Sequence, residues 1–163
     1  MSALRYAYLL ALVLWLGGLA VAGALVAPSV FGVLQAWDPV QGRMLAGDVF
    51  GEVLARLHLL GYAAGALMIV ILTVQRLLGP RPVAYGIRAG LVALMLAVMA
   101  YSGLVLLPAI DAIQASVDGP INGLAADDAR RVRFDALHAR STNLVGAVIA
   151  GGLILLLWEA REK

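Results

Sequence analysis

The sequence predicts an all-α protein, a four-helix transmembrane bundle whose spans extend as helices into a small polar cap on the outer face. Of its 163 residues, 63% are hydrophobic and 13% are charged, whereas a soluble domain is about half apolar and about a quarter charged. Four apolar segments are each about 20 residues long, enough to cross a hydrocarbon core of about 30 Å. Helices are required because lipid offers no hydrogen-bond partner to backbone groups, and the segments lack the alternation of barrel strands.

The spans are predicted within a single domain of residues 1–163, at 6–27, 57–78, 83–107 and 136–158. The first apolar run is longer than a secretory h-region of about 7 to 15 residues, so we expect it to be retained as a span. Pro28 and Pro108 fall near the outer ends of the odd-numbered spans, where a proline kinks or ends a helix. The two halves of the chain show only a weak echo of each other.

Charge predicts the orientation. An even number of spans places both termini and the loop at 77–86 on one side, where Arg76, Arg81 and Lys163 lie. This loop contains no acidic residue, whereas the arginines of the opposite side are accompanied by eight acids. Basic residues in short loops mark the cytoplasmic side. We therefore expect a protein of the plasma (inner) membrane with both termini in the cytoplasm.

Composition also limits the chemistry. The chain has no cysteine, which excludes disulfides, thiolate metal sites and cysteine nucleophiles. The net charge of +2 arises from scattered arginines rather than from a basic stripe, which argues against nucleic acid as a partner. No nucleotide-binding or acyl-transfer motif is visible, so no catalytic residue is predicted and an enzyme is not expected.

The candidate site is a polar layer around the two histidines. His58 and His138 lie roughly 12 and 15 Å from the bilayer midplane, at 1.5 Å per residue, both towards the outer face. His58 shares its helix face with Gly61 and Gly65, and both histidines are predicted to point into the bundle. Ionisable groups at such depth usually pair or line a pathway.

Several chemistries remain open for this layer. A divalent or copper ion would suit two imidazoles with carboxylates, whereas two imidazoles alone could ligate heme b. Proton or anion handling, or plain hydrogen bonding at the membrane boundary, would also use these residues. A further alternative is a scaffold or assembly protein without a ligand, whose glycine faces form homo-oligomers. The candidate ligands are His58, His138, Glu52, Asp111 and Asp135, the charge partners Arg56 and Arg140, and the helix-packing residues Gly61, Gly65, Gly151 and Gly152.

A family resemblance rests on short motifs spread over nearly the whole chain. They are Trp15-Leu16-Gly17-Gly18, Pro28 to Phe31, Leu57-His58-Leu59-Leu60-Gly61, Pro108, and Arg133-Phe134-Asp135-Ala136-Leu137-His138-Ala139-Arg140-Ser141. With them the sequence resembles the transmembrane protein 205-like family, and more loosely copper-resistance protein D. The first resemblance implies a polytopic membrane protein, and the link of vertebrate members to platinum-drug tolerance hints at metal or solute handling.

Overall fold

The structure, a computed structural model of the single chain, describes residues 3–79 and 84–161. In this part of the chain four helical spans are long and apolar enough to cross a membrane, which confirms the predicted all-α, four-span architecture. The predicted start of the third span at Val83, and the charges of Arg81 and Lys163, lie outside the described residues. The helices are α1 (Ala3–Val21), α2 (Ala27–Trp37), α3 (Gln41–Leu78), α4 (Tyr85–Tyr101), α5 (Leu107–Ala115) and α6 (Ala129–Arg161).

The first and third spans pass their prolines without ending. A π-helical segment, Ala22–Val26, joins α1 to α2, and Ser102–Leu106 joins α4 to α5 in the same way. Pro28 and Pro108 each follow such a segment closely. A proline donates no hydrogen bond and clashes with the carbonyl four residues earlier. The π turn offsets this locally, because its wider ring redirects a backbone bond to the fifth residue back. The spans therefore continue as helix beyond both prolines.

The second span begins well before the apolar segment that predicts it. Asp38 Oδ1 accepts hydrogen bonds from the backbone N–H groups of Val40 and Gln41 at 2.8 and 2.7 Å. These contacts satisfy donors that the first turn of α3 leaves without intrahelical partners. A Cβ on Gly42 would overlap the Leu34 carbonyl. The tight reversal from α2 into α3 thus requires glycine at this close approach.

The fourth span also starts early, at Ala129, because the preceding residue caps it. Asp128 Oδ1 accepts the backbone N–H of Arg130 at 2.8 Å, and Asp128 Oδ2 pairs with Arg130 Nη2 at 2.9 Å. The hydrogen bonds from the Arg130 side chain and backbone lower the pKa of Asp128 from 3.8 to about 2. A lowered folded-state pKa stabilises the fold above pH 3.8, and this contribution is lost as the pH falls towards 2.

The bundle core is built from α1, α3, α4 and α6. Leu12, Trp15, Met68 and Leu155 are almost fully buried there. Many other large apolar side chains face outward, and Leu104 is 72% exposed. Water would penalise such an exposed apolar surface, whereas lipid would not. The outward-facing side chains therefore indicate a lipid environment.

An offset of 80 residues relates the first span to the third. It aligns the two π segments, the two prolines, and the buried positions Leu12 with Val92 and Trp15 with Met95. The second and fourth spans contact the first and third spans at residues that this offset makes equivalent, Trp15 with Met95 and Leu16 with Leu96. A Cβ on Gly65 would meet Leu96 and Trp15, whereas Cβ atoms on Gly151 and Gly152 would meet Met95 and Leu16. The chain is thus two similar helical hairpins in the same orientation, a clearer repeat than the sequence indicates.

We expect Gly65→Ala to destabilise the bundle. Its Cβ would lie 2.5 Å from Leu96 Cδ2 and 3.0 Å from an atom of the buried Trp15 ring. Overpacking of this kind costs about 1–3 kcal/mol, against a gain of about 1 kcal/mol in helix propensity. The matched control is Gly90→Ala, where nothing lies within 4 Å. Unfolding in detergent should show a lower stability for Gly65→Ala alone, and equal stabilities would contradict this packing.

Candidate functional site

His58 lies inside the bundle with one ring nitrogen engaged. The residue is 5% exposed, and Nδ1 lies 2.8 Å from the Leu54 carbonyl oxygen. A carbonyl oxygen only accepts, so Nδ1 carries the donated proton, and in the neutral imidazole Nε2 is then an acceptor. Within the described residues Nε2 is buried and has no hydrogen-bond partner. The described part of the chain thus leaves one buried ring nitrogen of His58 without a hydrogen bond.

The neighbours of His58 come from the third span. A Cβ on Gly103 would lie 2.7 Å from His58 Cδ2 and 2.6 Å from Tyr62 Oη, so glycine allows both rings to approach the π segment. The His58 and Tyr62 rings meet edge to face at 6.1 Å. Tyr62 Oη donates to the Met99 carbonyl at 3.3 Å. The inward direction of His58 was predictable, but its contact with a proline-linked π segment was not.

Two further polar atoms in this region are buried without a partner in the described chain, Trp15 Nε1 and Ser102 Oγ. Trp15 Nε1 would lie 2.7 Å from a Cβ on Gly61, one helical turn from His58, and Ser102 immediately precedes Gly103. We call Trp15, His58, Tyr62 and Ser102, with Gly61 and Gly103, the histidine layer. Each unsatisfied buried group costs about 1–3 kcal/mol, so three of them in one layer need an explanation.

The other candidate residues lie at the surface. His138 is exposed, and its ring stacks on Phe134 at 5.9 Å. Glu52 and Arg56 form an exposed ion pair at 2.9 Å. Asp111 and Asp135 are exposed, as is Arg140, whose guanidinium lies 5.9 Å from the Tyr101 ring centre. Residues 3–79 and 84–161 contain no group of three histidine or acidic side chains placed to hold a metal ion.

A second polar cluster lies at the opposite end of the bundle. Glu159 and Arg88 are 4% and 3% exposed, and they form an ion pair. Arg5 Nε donates to Glu159 Oε2 at 3.1 Å, and Arg5 Nη2 donates to the Glu159 carbonyl at 2.8 Å. The Arg88 guanidinium lies 5.0 Å above the Tyr8 ring centre. This terminal ion cluster joins α1, α4 and α6.

Sequence reasoning missed the terminal ion cluster because it treats these groups as charges of a cytoplasmic surface. Arg88 lies 80 residues after Tyr8, so the two positions are equivalent in the first and third spans, and both side chains are buried. That equivalence is the signal in the sequence that could have placed Arg88 inside. Buried pairs repay their desolvation poorly, but they disfavour packings that leave a charge unpaired. The cluster therefore favours one register of three helices.

We expect Glu159→Gln to destabilise the protein strongly, because two guanidinium groups would lose their carboxylate in a largely buried site. Breaking a buried pair costs about 3–5 kcal/mol. Glu52→Gln is the matched control, since its ion pair with Arg56 is exposed and such pairs contribute about 0–1 kcal/mol. Denaturant titration in micelles should separate the two variants clearly. A Glu159→Gln protein as stable as Glu52→Gln would show that the buried pair is not required.

Comparison with known families matches residues 10–117 to the domain of unknown function DUF4149. The chain belongs to this family. The matched segment contains the whole histidine layer of this DUF4149 protein, and it ends before His138 and Glu159. No curated protein and no solved structure matches the chain. The resemblance to the transmembrane protein 205-like family and to copper-resistance protein D stays a prediction.

Proposed function

We propose that this polytopic membrane protein binds a small solute in the histidine layer, with His58 as the principal binding group. The observation that carries the proposal is the buried His58 Nε2, for which the described residues provide no hydrogen-bond partner. Polar and ionisable groups in a membrane are costly, and they usually serve a pathway or a ligand. Exposed Glu52, Asp111 and Asp135, with Arg56 and Arg140, enter the proposal only as an outer polar shell.

A metal ion, including copper, is one candidate solute. A neutral imidazole nitrogen is a common metal ligand, and the thioether of Met99 is a soft donor on the neighbouring helix. Met99 Cε would lie 3.0 Å from a Cβ on Gly61, which places this side chain beside the histidine layer. The carboxylates named with the histidines are exposed, so they support a metal ion less than His58 does.

Heme and scaffold functions receive less support. The predicted heme site, ligated by both His58 and His138, needs two inward imidazoles, whereas His138 is exposed and stacks on Phe134. A homo-oligomer formed through the four predicted packing glycines needs these glycines to face outward. A Cβ on any of the four predicted packing glycines would instead meet a side chain of the same chain. These four are Gly61, Gly65, Gly151 and Gly152.

The binding role of His58 is tested by thermal unfolding in micelles with Zn²⁺, Cu⁺ and small organic solutes. At least one of these should raise the melting temperature, by several degrees at saturation, through mass action on the folded state. His58→Ala should lose this response, whereas His138→Ala, the exposed control, should retain it. A response that survives in His58→Ala would refute the proposed role.

We also propose a plasma-membrane location with both termini in the cytoplasm, supported by the basic, acid-free loop at 77–86. The chain has no cysteine, so single cysteines report orientation cleanly. Ala126→Cys, in the long outer connection, should react with a membrane-impermeant maleimide in intact cells. Leu78→Cys, which is 84% exposed at the other end, should react only after permeabilisation. The reverse pattern would invert the orientation.

A further inference from the structure

We infer that the ligand of the histidine layer is an uncharged molecule of one to three heavy atoms that both donates and accepts hydrogen bonds. The inference rests on the proposed binding function and names its ligand class. Its basis is three buried polar atoms of the layer for which the described structure provides no hydrogen-bond partner: His58 Nε2, Trp15 Nε1 and Ser102 Oγ.

The hydrogen-bonding inventory of these atoms defines the complementary molecule. An indole N–H only donates, a neutral His58 Nε2 only accepts, and a hydroxyl does both. A ligand that contacts both rings would accept from Trp15 Nε1 and donate to His58 Nε2. Ser102 can supply a third bond of either kind. Water, small amides and small alcohols have this character, whereas a bare cation cannot accept and a bare anion cannot donate.

The charge balance of the layer also favours a neutral ligand. None of its residues is a carboxylate or a guanidinium, and the acids predicted to accompany His58 are exposed. The buried charges of Arg88 and Glu159 pair with each other at the other end of the bundle. An ion placed in the layer would lose its hydration without gaining a counter-charge there, which is unfavourable in a low-dielectric interior.

The packing limits the size of the ligand. The side chains around Gly61 and Gly103 approach so closely that a single added Cβ would lie 2.6–2.7 Å from Trp15, His58 or Tyr62. One wall of the layer is the π segment Ser102–Leu106, and π bulges occur frequently at functional sites. A ligand of few atoms fits this arrangement.

Three probes of equal heavy-atom number separate the ligand classes: formamide is neutral, formate is an anion and formamidinium is a cation. Replacing Trp37 and Trp158 by Phe leaves Trp15 as the single tryptophan, and its ¹⁵N-labelled indole resonance can be followed in micelles. We expect a saturable shift with formamide and none with formate or formamidinium at equal concentration. His58→Gln, whose amide oxygen still accepts, should retain the shift, and His58→Leu should abolish it. His138→Leu is the matched control and should behave like the parent.

The outcomes distinguish the ligand class from the binding function. If formamidinium, Zn²⁺ or Cu⁺ moves the Trp15 resonance through His58 and formamide does not, the neutral ligand is wrong but binding at His58 stands. A formamide shift that persists in His58→Leu would also overturn the inference. If no probe moves the resonance, and thermal unfolding shows no His58-dependent response, both proposals fail. Two His58 variants are used so that misfolding of one is recognised from the behaviour of the other.

Discussion

The constraint on which this structure depends is that every backbone polar group within lipid must find its partner inside the protein. Proline removes one donor from a helix, so Pro28 and Pro108 each leave a backbone carbonyl without its usual partner in the first and third spans. The π segments Ala22–Val26 and Ser102–Leu106 rearrange the backbone hydrogen bonds before each proline, so the helix continues unbroken. The helices then continue past the prolines, as α2 to Trp37 and as α5 to Ala115.

The same arrangement produces the histidine layer. In the third span the π segment presents Gly103, against which His58 and Tyr62 pack closely. In the first span a Cβ on the equivalent Gly23 would meet nothing within 4 Å. The two similar hairpins therefore contain the same kind of π segment in different surroundings. In one it forms part of a tightly packed polar layer, and in the other it faces outward.

Much of the fold could be predicted from the sequence, because apolar length determines the spans almost directly. Helical extensions of the second and fourth spans could be predicted as well, but the start of the second at Gln41 could not, since its cap Asp38 lies outside the apolar segment. Within the candidate site, the helix face of His58 correctly predicts that its side chain points into the bundle. The same prediction for His138 is wrong, because this residue is exposed. Helical periodicity predicts which residues share a face of a helix, but it does not predict which neighbouring helix covers that face. At His138 no neighbouring helix of the described chain covers it. Ser102 and Trp15 gave no sequence signal beyond ordinary core residues.

The repeat explains why polarity is concentrated in two places. At equivalent positions one half carries a polar side chain where the other carries a less polar one: Arg88 against Tyr8, Ser102 against Ala22, and Trp15 against Met95. Towards the termini the added charge is compensated, because Glu159 pairs with Arg88 and Arg5. In the histidine layer the added polar atoms lack such compensation among the described residues. A buried group whose partner is present stabilises a register, whereas one without a partner in the described chain is the basis on which we propose a ligand. This difference separates the terminal ion cluster from the histidine layer.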